Sequence, residues 1–219
     1  MAIELPLFPL DIVLFPGEDL PLHIFEPRYR LMMNECIEQK TPFGIVLVRP
    51  HSEHLKEEPY SVGTMAKIDI LDRLEDGRMN LIARGLQRFR ILELHRHKPY
   101  LSGLVEVFED QVEQDQTQTT CANQASDLFR AYLQVLIEVI GKESFEFTLP
   151  AAPEDLSHFI AYFLDVSNER KQQLLELTST TQRLEEELDI LRHEMPFMRR
   201  MLSFNNSYHP ESPDRSMLN

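Results

Sequence analysis

Apolar residues in the first hundred positions recur at every second place or in short unbroken runs. Beyond position 120 they recur at every third or fourth, so the chain predicts a β-rich first half and a helical second half. Val13, Leu14 and Phe15, then Leu20, Leu22 and Ile24, read as strand positions separated by the turn signal Pro16-Gly17-Glu18-Asp19. Between Leu5 and Met33 lie Pro6, Pro9, Pro16, Pro21 and Pro27, each without a backbone donor. The expectation is therefore short edge strands broken by bends and no long central strand. At Glu26-Pro27 the period changes to that of a helix, with Pro27 at the first helical position and Tyr29, Met32, Met33, Cys36 and Ile37 on one face.

The run from Phe43 to Val48 has the look of an inner strand buried on both faces, ended by Arg49-Pro50, and His51 to Tyr60 reads as a surface loop. Gly63 opens a strand from Thr64 to Leu74, and Asp76-Gly77 predicts a type I′ hairpin turn into a strand from Met79 to Ala83. A bulge is expected at Gly85, then strands over Phe89 to His95 and Leu101 to Phe108. Residues 109–120 are polar and read as a linker. Leu128, Phe129, Tyr132, Leu136, Val139 and Ile140 follow at helical spacing, with Gly141 placed as the residue just past the helix end. A second helix starts at Pro153, a third is capped by Ser167 or Asn168, and Ser179-Thr180-Thr181-Gln182 fits a capping box for the last. In that helix Leu184, Leu188, Leu191, Met195, Met198 and Leu202 form a 4-3-4-3-4 seam, which Pro196 should kink or end. The fold class expected is α+β: a β-rich subdomain with one helix over 1–110, a linker over 111–120, a helical bundle over 121–202 and a disordered tail over 203–219.

Composition removes several functions. No apolar run is long enough to span a membrane and no basic region precedes the first apolar stretch, so a cytoplasmic location is expected, and Cys36 and Cys121 read as unpaired thiols. A net charge of −14 opposes attraction to nucleic acid or anionic membranes. The one basic stretch, with Arg78, Arg84, Arg88, Arg90, Arg96 and Lys98, alternates with apolar residues as the solvated face of a half-buried strand does.

Catalytic chemistry is not encoded in any motif. The only Gly-Lys pair, Gly141-Lys142, is followed by Glu143 and has Leu136 where a phosphate loop needs glycine. Gly-x-Ser-x-Gly, His-Glu-x-x-His and Cys-x-x-Cys are all missing from the sequence, and His95 and His97 have no third ligand nearby. Runs such as Glu185-Glu186-Glu187 read as solvated carboxylates. A non-enzyme with no cofactor and no metal is expected.

Five spaced segments nevertheless carry a resemblance. They are Leu5-Pro6-Leu7-Phe8-Pro9-Leu10, Val13-Leu14-Phe15-Pro16-Gly17, Leu20-Pro21-Leu22-His23-Ile24-Phe25-Glu26-Pro27-Arg28-Tyr29-Arg30, Val62-Gly63-Thr64-Met65-Ala66 and Arg84-Gly85-Leu86-Gln87-Arg88. Together with the helices around Glu169 to Glu176, they resemble the N-terminal, substrate-binding domain of Lon-type proteases, here without the ATPase and peptidase domains. The resemblance implies a PUA-like pseudo-barrel and binding of unfolded or degron-bearing polypeptides through apolar surface.

Phe15, Leu20, Phe25, Arg28, Tyr29 and Arg30 are then the candidate substrate-binding residues, with core of the β subdomain as the competing reading for the apolar ones. Leu188, Leu191, Met195, Met198 and Met201 are candidates for docking a protease or other complex, unless the seam packs internally. Two other functions stay open at this point: an adaptor working through the last helix, and a PUA-like small-molecule or RNA binder. The expected state is a monomer or weak homodimer.

Overall fold

The structure, a computed structural model, describes residues 2–50, 58–113, 116–140 and 148–207, with backbone only at 139–140 and 201–207. Six strands are followed or interrupted by five helices: β1 Ala2–Leu10, β2 Asp19–Ile24, α1 Pro27–Gln39, β3 Phe43–Leu47, β4 Val62–Arg73, β5 Met79–His95, β6 Leu101–Val107, α2 Gln116–Ile140, α3 Pro153–Phe163, α4 Asn168–Glu176 and α5 Thr180–Ser207. The strands run in the order β2-β5-β4-β3-β1-β6, and β5 also pairs with β6, which closes five of them into a small barrel. The outlier is β2, which hangs on the first half of β5 as the free edge of a ribbon made with the β4–β5 hairpin.

Two readings of the prolines and turns are corrected. β1 is a nine-residue interior strand despite Pro6 and Pro9. It changes partner midway: residues 2–7 pair with β6 and residues 7–10 with β3, so Leu7 alone is paired on both sides. Each proline thus falls where only one flank is bonded, the edge-like setting in which a missing donor is tolerated. At the β4–β5 turn, Gly77 has φ 80 but Asp76 does not share a positive φ, which excludes type I′. Instead Gly77 N–H donates to the Leu74 carbonyl (2.9 Å) and Leu74 N–H to the Arg78 carbonyl (2.9 Å), a tight turn followed by a left-handed glycine.

The two strands expected around Gly85 form the single strand β5, and the bulge lies beside that glycine. Pairing with β4 slips by one residue between Ala66–Gly85 and Thr64–Arg88. A side chain at Gly85 would strike the Phe15 carbonyl, and the Gly85 amide and carbonyl bond Glu18 and Gly17 at 2.8 and 3.0 Å. This close approach fixes where the Pro16-Gly17 turn delivers the chain into β2.

Helix α1 starts as expected, with Pro27 in its first turn and Glu26 at the N-cap, and buries Tyr29, Met32, Met33 and Cys36 against Ile24, Met79, Leu81 and Ala83 on the inner face of the ribbon. Ser167 and Ser179 accept the amides of Arg170 (3.3 Å) and Gln182 (3.0 Å) as helix caps. Leu184, Leu188, Leu191 and Met195 of α5 enter the bundle core with Ala125, Phe129 and Tyr132 of α2 and Leu156 and Ile160 of α3. That same cluster includes Val13, Phe15, Leu47 and Val62, so barrel and bundle share one core. The helix continues through Pro196 to Ser207.

Residues 109–113 are not a free linker, and α2 begins at Gln116, inside the stretch expected to be one. Gln111 N–H donates to the Thr178 carbonyl (2.8 Å), and Glu113 accepts from Thr181 N–H (2.9 Å) at the start of α5. Gly141, most of the 51–60 loop and the tail beyond 207 lie outside the described residues.

Candidate binding surface

The N-terminal candidates divide between core and surface. Phe15 (0% exposed) faces the bundle, Leu20 (7%) and Tyr29 (4%) sit in the cluster between α1 and the ribbon, and Tyr29 packs at a tilt against Phe8 with ring centroids 4.3 Å apart. These three are closed to an incoming ligand, because burying them is what joins α1, ribbon and bundle. Arg28 bonds Glu26 (2.9 Å) with both side chains about one third exposed, and its guanidinium lies 4.4 Å from the Tyr29 ring centre, so no buried ion pair forms there. Arg30 packs its guanidinium against Gly77 and so braces the hairpin turn. Only Phe25 is open, at 59%, stacked on His23 with 6.0 Å between ring centres.

Around Phe25 and His23 the ribbon presents its outer face. Leu20, Ile24, Met79, Leu81 and Ala83 point inward, so strand alternation sends their neighbours outward. Cross-strand registers then define three rows: Asp19–Arg84–Lys67, Pro21–Ile82–Ile70 and His23–Asn80–Asp72. In the first row every charge is paired, Arg84 with Asp19 (2.9 Å) and Lys67 with Asp69 (3.7 Å). The second row is apolar, and Ile70 is 56% exposed. In the third, His23 Nδ1 and Asn80 Oδ1 are 2.7 Å apart, while the Asp72 side chain enters no ion pair or hydrogen bond among the described residues. The second and third rows, with Leu22 and Leu81, line an open groove of about 400 Å³.

The rim of this groove is the free edge of β2. Since Gly85 N–H bonds the Glu18 carbonyl, ladder alternation turns Leu20, Leu22 and Ile24 toward β5 and Pro21 toward the open side. Pro21 thereby deletes the middle donor of the edge and disfavours edge-to-edge strand pairing. Contact with a ligand is left mainly to side chains of the outer face.

The docking candidates on α5 fare differently. Leu188 (4%), Leu191 (0%) and Met195 (6%) face α2 and α3 inside the core, so they offer no surface; Met198 is partly buried against the same cluster. The side chain of Met201 is outside the described residues. Phe197, at 57% exposure, is the large apolar side chain that this end of the helix exposes among the described residues.

A buried ionic cluster lies at the seam of barrel and bundle. Arg88, which alternation had placed on a solvated face, is 2% exposed; it bonds Asp110 and donates to the Leu175 carbonyl (2.9 Å) and the Leu177 carbonyl. Arg183 bonds Asp110, Ser157 and the Leu177 carbonyl (3.0 Å). Burial pushes the Asp110 carboxyl up, but hydrogen bonding and charge from Arg183, with Thr180 and Arg88, hold it below its ordinary range. Among the described residues, Asp110, Glu154 and His158 are the group whose ligand atoms lie near enough to share a metal ion. Two guanidinium groups already occupy both Asp110 oxygens, so the cluster reads as a structural ion network.

Fold and surface together define an α+β domain, a pseudo-barrel fused to a helical bundle, with an open apolar ribbon face. The chain belongs to the ATP-dependent protease La (LON) substrate-binding domain family, whose model matches residues 4–193. It is 28% identical over 202 residues to a Lon protease of Anaeromyxobacter dehalogenans, covering 89% of this chain and 24% of that one. The chain thus spans about a quarter of the length of that relative. The Lon N-terminal domain protein from Xanthomonas campestris superposes with a TM-score of 0.65 at 27% identity, over 85% of this chain and 98% of the other. The N-terminal domain of Mycobacterium avium complex Lon protease shares the fold, with a TM-score of 0.64 at 22% identity over 87% and 98% of the two chains. No helix among the described residues is long and apolar enough to cross a membrane.

Proposed function

We propose that this chain is a passive, cytoplasmic binder of unfolded or degron-like apolar polypeptide segments, working without ATP or any cofactor through the outer face of the β2–β5–β4 ribbon. The observation that carries the reading is an open groove of about 400 Å³ lined by Pro21, Ile82 and the more than half exposed Ile70, with the equally exposed Phe25 stacked on its lining residue His23. Membership of a substrate-binding family supports it. Affinity is weak, micromolar or above, because a surface that accepts many sequences is complementary to none in detail.

Fluorescence anisotropy with labelled apolar and polar unstructured peptides tests the reading. Apolar peptides bind the native chain, and Ile70→Ser and Phe25→Ala weaken them; absence of binding below millimolar concentration, or folded variants that bind as the parent does, rejects the site. The same preparation neither hydrolyses ATP nor cleaves casein, and turnover that survives repurification would refute the non-catalytic part.

The exposed Phe197 favours a second reading, an adaptor that docks a protease or other complex through the end of α5. Capture of one stoichiometric partner, lost in Phe197→Ser, would select it over the first.

A further inference from the structure

The arrangement of charge around the ribbon groove carries the reading further. Along the ribbon the cations are already engaged: Arg84 with Asp19, Lys67 with Asp69, Arg78 with Asp76 (2.6 Å), and Arg73 with Asn34 Oδ1 of α1 (2.9 Å). Asp72 is the exposed charge lining the groove, and it has no partner among the described residues. It stands two residues from Ile70 on the same strand face, roughly 6.6 Å away at the rise of a β-strand. A carboxylate beside an apolar row, in a chain of net charge −14, attracts cations and repels acids.

We infer that the groove selects apolar segments bearing a lysine or arginine two residues from the apolar anchor. The anchor lies on the Pro21–Ile82–Ile70 row, and the cation lies against Asp72. Spacing follows from geometry, since an extended peptide running along the strands advances by the same rise per residue and presents residues i and i+2 to one face. Phe25, stacked on His23 of the neighbouring row, offers a flank for a second apolar residue on the side of Asp72 away from the anchor.

This inference rests on the polypeptide-binding reading, and the test separates the two. Three labelled Ser/Gly-based peptides share one Leu-Phe anchor and differ only at the second position after it, which is Lys, Ser or Glu. A fourth carries Lys directly after the anchor. Anisotropy titrations are run with the native chain and with Asp72→Asn, whose fold is checked by circular dichroism. The expected result is binding about three- to fivefold tighter for Lys than for Ser, and weaker still for Glu, the range of an exposed ion pair. The advantage shrinks when Lys directly follows the anchor, and it vanishes in Asp72→Asn and in about 0.5 M salt. Equal binding of the Lys, Ser and Glu peptides to the native chain overturns the charge preference while leaving apolar binding standing. An advantage that persists in folded Asp72→Asn overturns the role of Asp72. Absence of binding by all four peptides rejects the polypeptide-binding reading, and this inference with it.

Discussion

Arg88 in the middle of β5 and Asp110, three residues beyond the end of β6, form an ion pair whose side chains are 2% and 4% exposed. Arg183 of α5 closes on the same carboxylate, so one acid holds barrel and bundle together. Removing it strands two guanidinium groups in the interior. Asp110→Asn is expected to lower unfolding stability by about 3–5 kcal/mol, the usual consequence of breaking a buried pair from one side. Urea denaturation at pH 7 measures it, and a loss under about 1 kcal/mol would show that the network adds little.

The same acid shapes the response to low pH. Its folded-state titration lies below the ordinary carboxylate value of 3.8, so its contribution is fully present above that value and is lost as pH falls through the depressed one. Between pH 5 and pH 3 the native chain therefore loses more stability than Asp110→Asn does, as paired thermal melts at the two pH values will show.

Sequence patterns were sufficient for the class and order of elements, and insufficient wherever a distant partner decides. Arg88 alternates with apolar neighbours as a surface charge does, and nothing local reveals a carboxylate 22 residues later and a helix more than 80 residues later waiting to enclose it. The polar run after β6 has the composition of a linker, yet its polar groups are spent on Arg88, Arg183 and the first turn of α5. For the binding surface the obstacle was parity. Ile68 and Ile70 are two apart and should share a face, but an extra residue in the β4 ladder between them sends Ile68 inward and Ile70 outward.

Glu187 is 0% exposed, and neither carboxyl oxygen has a hydrogen-bond partner among the described residues. Burial pushes its carboxyl well above the ordinary 4.5, against the opposing charge of Arg183. Below 4.5 the acid is protonated whether folded or not and carries no penalty; as pH rises past that value the unfolded chain ionises first, and stability is lost. Glu187→Gln removes this loss. Its melting temperature relative to the native chain should climb as pH rises above 4.5, and a flat difference would show that Glu187 is ionised in the fold.

The α5 seam supplies a test of internal packing. Leu188 and Leu191 are buried among α2 and α3 side chains, and each change to Ala leaves a cavity costing about 2–5 kcal/mol. Both variants should unfold at lower urea concentration with no change in mass by light scattering. Unaltered stability accompanied by dissociation of an oligomer would assign the seam to an intermolecular contact.

Phe15 and Phe25 separate fold from function most cleanly, because they lie ten residues apart and at opposite extremes of exposure, 0% and 59%. Phe15 fills space between the ribbon and the bundle, with its ring centre 6.2 Å from that of His158, so Phe15→Ala removes a core aromatic and should cost about 3–5 kcal/mol. Phe25 touches the ribbon through His23 alone among the ring contacts, and its loss to Ala should change stability by no more than about 0.5 kcal/mol. The expectation for peptide binding is the reverse. At a temperature where both variants are fully folded, Phe15→Ala binds an apolar peptide as the native chain does, because its side chain never meets the ligand, and Phe25→Ala binds several-fold more weakly. Chemical denaturation and anisotropy on the same samples give both quantities. If folded Phe15→Ala loses binding while Phe25→Ala keeps it, the binding surface lies on the barrel–bundle side of the ribbon and the outer-face assignment is wrong.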